Sequence, residues 1–326
     1  LATNSGNLGR TGYKFLGWTD SRTGDTFTPG ATFATETNTV LNARWGANSY
    51  VVAYAANGGS PESSTATLDQ VKLANETITV AAKPSGLTRA GYTFVGWNTH
   101  DTGTASTRIA PNSIETVTAD TLLYAEWTPN DNTVTLKRNY GSDSPDTQTV
   151  VTGTPTPIKS NPFTRTGYTL TGWSDTSTGV QLYAPTDTLT LTAPLTLYAL
   201  WSANNNLVTF KSNYSGGPSD ETQTVVSDSA TVLRARTFTR TGYTFSGWVD
   251  PGTNTTYADT ATVTLLAPLT LNATWTPDSN TVTFKSNYAG GPSDETQTIV
   301  SGTPTALRGN SFTRPSYTFL AWSDTS

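Results

Sequence analysis

The residues best suited to chemistry are few and scattered. The only histidine, His100, stands beside Asp101 in a polar Asn-Thr-His-Asp-Thr-Gly stretch that occurs once in the chain. A general acid or base needs a partner within hydrogen-bond reach, so a histidine on a polar loop reads first as solvated. Carboxylates recur more regularly: Asp143, Asp146, Asp220, Glu221, Asp294 and Glu295 sit with Ser and Pro between similar strand-like runs. Weak calcium binding and paired-acid glycoside hydrolysis both draw on such residues. One copy per repeat with no companion acid at a second fixed position favours a charged turn that keeps a strand edge soluble. Gly290-Gly291-Pro292 follows a strand-like run but opens no helix, which makes it a hairpin turn and not a phosphate loop. Lys285 and its equivalents read as solvated strand lysines in preference to isopeptide donors. Asn75-Glu-Thr, Asn213-Tyr-Ser, Asn254-Thr-Thr and Asn272-Ala-Thr fit the glycosylation pattern, which a chain rich in Asn and Thr matches freely.

What is missing decides more. The 326 residues contain no Cys, which removes thiolate metal sites, disulfides and cysteine nucleophiles. The net charge of −5 opposes a nucleic-acid partner, because phosphate binding needs clustered Lys and Arg. No apolar run reaches the roughly 18 residues of a membrane span, so no span is expected in this segment. Charged residues make up 13% of the chain, against about 25% in ordinary globular proteins. Threonine, serine and asparagine supply the polarity instead. Threonine is β-branched and suits a pleated, half-exposed surface, so the elements that position these residues are expected to be strands. No catalytic residue and no cofactor is assigned.

Those elements repeat. Trp18, Trp97, Trp173, Trp248 and Trp322 end a Gly-Tyr-like motif at spacings of 79, 76, 75 and 74 residues, and Trp45, Trp127, Trp201 and Trp275 end a second run. Together they account for all 9 tryptophans, and they are assigned to the structural core. Three blocks recur in fixed order. The first is Asn280-Thr-Val-Thr-Phe284-Lys-Ser-Asn287, echoed at 206–213 and 132–139. The second is Arg240-Thr-Gly-Tyr-Thr-Phe-Ser-Gly-Trp248, echoed from Arg10, Arg89, Arg165 and Arg314. The third is Leu269-Thr-Leu-Asn-Ala-Thr-Trp275, echoed at 195–201. Units of about 74 residues are expected at 49–130, 131–204 and 205–278. The stretch 1–48 carries only the later blocks and 279–326 only the earlier ones, as in a window on a longer array.

These blocks resemble the Listeria–Bacteroides repeat, the B-repeat of internalin-type surface proteins. Tyr54-Ala-Ala-Asn-Gly-Gly59, Gly91-Tyr-Thr-Phe-Val-Gly-Trp97 and Leu123-Tyr-Ala-Glu-Trp127 carry the resemblance almost position for position. Later units lengthen the Asn-Gly-Gly turn to Asn287-Tyr-Ala-Gly-Gly291, and the last has Ser316 and Ala321 where Gly is usual. The resemblance implies a small β-grasp-like module in bacterial surface proteins, with no catalytic residues to carry over.

Alternation locates the core. Leu269, Leu271, Ala273 and Trp275 share one face by the period of two that marks a strand, as do Val282 and Phe284. Outward sites vary: Asn42, Tyr124, Tyr198 and Asn272 occupy one, and Arg44, Glu126, Leu200 and Thr274 another. Residues 296–300 read as a returning hairpin strand. Tyr243 and Phe245 share a face but Trp248 does not, so a bulge at Gly247 is expected to turn the indole inward. Ala321 at the equivalent place points to a need for a small side chain and not for a positive φ. The stretch 303–313 and its counterparts are expected to hold a short helical turn, which makes the fold class β-rich α+β.

From Trp to the next inward Val is seven residues in every case, Trp45 to Val52, Trp127 to Val134, Trp201 to Val208 and Trp275 to Val282. Equal short linkers imply a repeated geometry and an extended rod. Residues 208–227 and 282–301 differ only at Ser215/Ala289 and Val225/Ile299, the mark of duplication. The function expected is structural: a stalk or filament scaffold outside a bacterial cell, in contact with neighbouring repeats and with neighbouring copies of the same chain. The alternative is a set of multivalent binding repeats for a glycan, a cell-wall polymer or a host protein, with outward Tyr124 and Tyr198 as stacking candidates. Outward variation favours the scaffold.

Overall fold

The computed structural model describes residues 1–4, 7–102, 107–142 and 144–324. Alternating Thr and apolar residues form strands throughout, and the one helix among the described residues is the four-residue Ser63–Ala66. Two compact units divide the chain, Leu1–Ser160 with Trp173–Ala199 and Asn161–Gly172 with Leu200–Ser326, so the division falls inside the stretch 131–204.

Residues 205–278 lie wholly in the second compact unit. A first strand, Asn205–Lys211, pairs antiparallel with a returning strand, Glu221–Val226, from Asn205 opposite Val226 to Phe210 opposite Glu221. On its other side the first strand runs parallel to a closing strand, Leu269–Pro277, from Val208 opposite Leu269 to Lys211 opposite Asn272. The Gly-Tyr strand, Tyr243–Val249, completes the order returning–first–closing–Gly-Tyr, with the short Thr256–Tyr257 at its edge. A parallel pair cannot be joined by a tight turn, so the chain between returning and closing strands must cross the sheet. That crossing contributes Leu233, Phe238 and Val263 to a core completed by Val208, Phe210, Val225, Trp248, Leu271 and Ala273.

The same order appears in the first compact unit, where Gln70–Leu73, Ser49–Ala55, Thr121–Pro129 and Tyr92–Asn98 lie side by side with Arg108–Ile109 at the edge. Its core gathers Val52, Tyr54, Ala56, Ile78, Val80, Leu87, Trp97, Val117, Leu123 and Ala125. Asp131–Lys137 pairs with Asp146–Val151 and runs parallel to its own closing strand, Leu195–Ala203, from Val134 opposite Leu195 to Lys137 opposite Tyr198. Ahead of these, Tyr13–Asp20 pairs with Leu41–Ala47. At the other end Ser279–Phe284 pairs with Glu295–Val300, while residues 317–323 take no regular structure.

Two sequence expectations need correction. Among the described residues, the stretch 303–313 and its counterparts contain no helical turn; Thr156–Pro157 and Thr231–Val232 instead pair with Thr188–Leu189 and Thr262–Val263 as two-residue strands. The segments are rich in Thr and Pro, which fit extended pairing better than a helix. The chain is therefore β-rich with almost no helix, and the one short helix occupies the hairpin connection of 49–130. The second correction concerns the bulge. It is present, with register shifts between Phe15 and Gly17 and between Phe245 and Gly247. Its glycines have φ of 130° at Gly17, 152° at Gly96 and 141° at Gly247, so positive φ is required after all. A Cβ at Gly247 would also lie 3.0 Å from the Tyr257 carbonyl oxygen. Ala321 lies within 317–323, which form no strand, so the bulge is not seen at its position.

The bulge adds one residue between Phe245 and Trp248, and both rings turn to the same side. Phe245 then meets Trp248 edge-on at 5.0 Å and Trp275 at 5.6 Å, an arrangement that favours the ring quadrupoles. Phe94 bridges Trp97 and Trp127 in the same way, and Phe15 bridges Trp18 and Trp45.

Replacing Trp248 by Ala deletes an indole only 1% exposed. The expected cost is about 3–5 kcal/mol, on the scale of buried aromatic truncations. Trp322→Ala, in a half-buried position outside any strand, should cost far less. Calorimetric unfolding of the two variants checks this, and equal losses would contradict the core assigned to Trp248.

Candidate functional site: the junction between repeats

The second block opens on Arg-x-Gly-Tyr, and this short motif builds the joint. The tyrosine N–H donates to the arginine carbonyl oxygen three residues back, at 2.9 Å for Tyr13 to Arg10, 3.0 Å for Tyr92 to Arg89 and for Tyr168 to Arg165, and 3.1 Å for Tyr243 to Arg240. The intervening glycines, Gly12, Gly91, Gly167 and Gly242, have φ between 75° and 79°, as the third position of a type II turn demands. The turn folds each guanidinium over the tyrosine ring, 3.6 to 4.1 Å from its centroid, where the π-face attracts a cation.

A single residue separates each closing strand from the next first strand: Asn48, Asn130, Asn204 or Asp278. Its N–H donates back to the turn glycine, at 2.9, 2.8, 2.8 and 2.9 Å to Gly12, Gly91, Gly167 and Gly242. Its carbonyl accepts from the residue that follows the next returning strand, at 2.8, 2.9, 2.8 and 2.9 Å from Ala74, Thr152, Ser227 and Ser301. Each linker residue thus bridges the turn before it and the hairpin after it. Side chains add to the bridge: the hydroxyls of Thr93, Thr169 and Thr244 donate to the linker side chains of Asn130, Asn204 and Asp278 at 2.6, 2.6 and 2.7 Å. Two residues on, the buried Asn132 and Asn206 donate to Thr152 Oγ1 and Ser227 Oγ at 2.9 Å each. Tyr168 Oη also reaches across to Asp228 at 3.2 Å.

Close approach is the second reason for glycine. A Cβ at Gly91, Gly167 or Gly242 would stand 2.7, 2.8 and 2.8 Å from the side chains of Thr152, Ser227 and Ser301, all on the following hairpin. Around the Asn130 joint, Thr93, Val95, Thr128, Pro129 and Thr192 line an open groove of about 680 Å³.

The remaining candidates lie apart from the joint. His100 is exposed, with its N–H on Asn98 Oδ1 at 3.1 Å and its ring beside Thr99 Oγ1. The recurrent acids pair with cations: Asp220 with Lys211 at 3.3 Å and Asp294 with Lys285 at 3.2 Å across the hairpin, and Asp146 with Lys159, Glu221 with Arg234 at 3.1 Å and Glu295 with Arg308 toward the crossing segment. The Lys159 ammonium beside Asp146 holds its carboxyl below the usual carboxylate range. Asp143 lies outside the described residues. Among the described residues, no group of three or more His, Cys, Asp or Glu is placed to hold a metal. Tyr124 and Tyr198 are half-buried, and Lys137 Nζ sits 5.5 Å from the Tyr198 ring centroid. Gly290 and Gly291 form a hairpin turn, with the Gly291 N–H on the Tyr288 carbonyl at 3.2 Å. Of the tryptophans, Trp97, Trp173 and Trp248 are fully buried, and Trp18, Trp45, Trp127, Trp201, Trp275 and Trp322 are half-buried.

Two recurring amides escaped the sequence analysis. Asn57, Asn139 and Asn213 stand two residues past the first strands at φ of 48°, 59° and 57°, and their Nδ2 groups donate to Ala125, Ala199 and Ala273 carbonyls at 2.9, 3.1 and 3.0 Å. Asparagine tolerates the left-handed region better than most residues. Gln148, Gln223 and Gln297 each donate to a carbonyl nine residues on and accept an N–H eleven residues on, fastening the crossing segment to the returning strand. Their recurrence at equivalent places was the available signal.

The Listeria-Bacteroides repeat domain model matches residues 1–44, 50–126, 133–200, 207–274 and 281–326, five tandem copies. The chain is also 28% identical over 325 residues, 96% of its length, to a protein of Evansella cellulosilytica that carries the provisional name Gly-rich membrane protein. A second protein of that organism, provisionally named a membrane protein, is 30% identical over 242 residues, 73% of the chain. The matched stretches are 36% and 34% of those relatives, so the chain spans about a third of their length. Among the described residues no helix is long and apolar enough to cross a membrane.

Two glycines with the same φ separate the two demands made at the joint. Gly242 (φ 75°) faces Ser301, whereas Gly216 (φ 76°) has open space where a Cβ would lie. Gly216→Ala should lose only the backbone preference, roughly 1–3 kcal/mol. Gly242→Ala should lose more and should raise hydrogen exchange at the Asp278 and Ser301 amides. Equal losses in chemical denaturation would show that contact across the joint adds nothing.

Proposed function

The chain belongs to the Listeria-Bacteroides repeat domain family, and on that premise we propose that it is a non-enzymatic spacer in a secreted or cell-surface bacterial protein. In this reading it is an extended, semi-rigid array of β-grasp-like modules bounded near 48, 130, 204 and 278. It holds an adhesive or other domain away from the surface. The observation that carries the reading is the joint itself: one linker residue, one positive-φ glycine and the same two backbone hydrogen bonds, four times over. A loose string of beads would need none of these, and a repeated joint gives each added unit a defined increment of length.

Supporting features are distributed along the chain. The β-grasp-like reading draws on the sheet order, returning–first–closing–Gly-Tyr, with its parallel middle pair. Surface attachment draws on the family and on the relatives' names as membrane proteins. The absence of cysteine, a lone exposed histidine and carboxylates already paired with cations favour a role without catalysis. A binding role has its best footing in one unit, where Val51, Val71 and Leu122 are exposed on the outer sheet face beside Tyr124. At the equivalent sites the other units place Thr, except for Leu207, which is likewise exposed.

Small-angle scattering of the chain and of versions with residues 205–278 deleted or duplicated tests the spacer. The maximum dimension should change by about 30 Å per unit, the size of a compact module of this length. A dimension that does not follow repeat number would exclude a spacer. Binding of the chain to a glycan array or to isolated cell wall, growing with repeat number, would favour the binding role.

A further inference from the structure

We propose that each repeat is a load-bearing element, and that its parallel pair of first and closing strands is the clamp that resists tension. The inference rests on the spacer reading, because an array between two bodies is what would carry tension to its repeats.

The chain enters a repeat through the first strand and leaves it through the closing strand, with one linker residue on either side. These two strands are neighbours and run parallel over the same four pairs each time. Val52 stands opposite Thr121 through Ala55 opposite Tyr124; Val134 opposite Leu195 through Lys137 opposite Tyr198; and Val208 opposite Leu269 through Lys211 opposite Asn272. A pull on the entry and the exit therefore drives the strands past each other along their own axes. The inter-strand hydrogen bonds lie across that direction, so all of them are loaded together and must fail together. A hairpin pulled at its open end loses its bonds one after another, each at a small load. Topology alone thus puts the strong mode on the path between entry and exit.

Side chains extend the clamp past its last backbone pair. Two residues past each first strand stands a left-handed asparagine whose amide returns to the closing strand, Asn57 to Ala125, Asn139 to Ala199 and Asn213 to Ala273. The closing tryptophans answer from the other side: Trp127 Nε1 donates to the Ala56 carbonyl at 3.0 Å and Trp275 Nε1 to the Ser212 carbonyl at 2.8 Å. Beneath the ladder Val134, Leu136, Leu197, Val208 and Leu271 are wholly buried, which shields one side of its bonds from competing water.

Single-molecule force spectroscopy of this chain tests the proposal, helped by its lack of native cysteine, since introduced thiols are then the only attachment points. Pulled through a cysteine added at each end, the chain should give three high-force events, one per repeat with a parallel pair. Each should release roughly 250 Å of contour, about 74 residues at the fully extended reach per residue. Pulled instead through Asn205→Cys and Val226→Cys, the paired residues at the open end of a hairpin, repeat 205–278 should yield at several-fold lower force. Similar forces in the two directions would overturn the clamp. Asn139→Gly with Asn213→Gly keeps the left-handed φ and removes the amide, and should lower two of the three end-to-end events while sparing that of 49–130. No change in any event would remove asparagine from the clamp and overturn that part of it. High end-to-end force in an array whose length ignores repeat number would reject the spacer and leave the clamp standing.

Discussion

The bulge before the first tryptophan is the constraint from which the rest of each repeat follows. Without it, Phe245 and Trp248 would point to opposite faces, since side chains three apart in a strand diverge. One extra residue at a glycine with φ of 141° brings both rings inward, and Phe245 then wedges between Trp248 and Trp275. That wedge fixes the register of the Gly-Tyr strand on the closing strand. Register on the closing strand in turn fixes which carbonyl the turn glycine offers to the linker residue, because Tyr243 lies opposite Pro277, one residue before Asp278. Core and joint are therefore set by one local backbone choice.

Much of this was legible in the residues themselves. The alternation of Leu269, Leu271 and Ala273 gave the inward face, and these side chains are 9%, 0% and 0% exposed. The hairpin return at 296–300 lies within the strand Glu295–Val300, and the odd spacing of Trp248 led to the bulge. Its backbone demand was misread because Ala321 was taken as an equivalent, when a residue aligned by motif need not share a conformation. The crossing segments were misjudged for another reason. Their strands are two or three residues long, too short for any period, and the pairing of Thr231–Val232 with Thr262–Val263 joins stretches about thirty residues apart in a way that local pattern does not encode. The joint was visible only as a constant distance of seven residues. Arg-x-Gly-Tyr looked like the start of a core strand, and that the same four residues also form the socket for the next repeat is a fact of three dimensions.

Polar side chains here do work that backbone does in larger folds. Asparagine two residues past each first strand and glutamine in the returning strand each supply the geometry of one more backbone rung where the chain has turned away. A module this small has little apolar surface to spend on its periphery. Amide side chains that donate and accept as a peptide does let it close its edges without a longer strand. The abundance of Asn, Gln and Thr, and the low charge, follow from that use as much as from exposure to solvent.

The one-residue joint also governs how such an array can change in length. Inward positions fall on odd numbers in the closing strand, at Leu271, Ala273 and Trp275, and on even numbers after it, at Val282 and Phe284. A single inserted or deleted residue would exchange inside for outside on one flank of the joint and would break both backbone bonds of its linker. Editing by single residues is thus closed off at the joint, and the changes in length between units fall in turns away from it. Residues 208–227 and 282–301, alike but for two positions, are what copying in whole steps leaves behind. On the spacer reading, reach is counted in whole repeats.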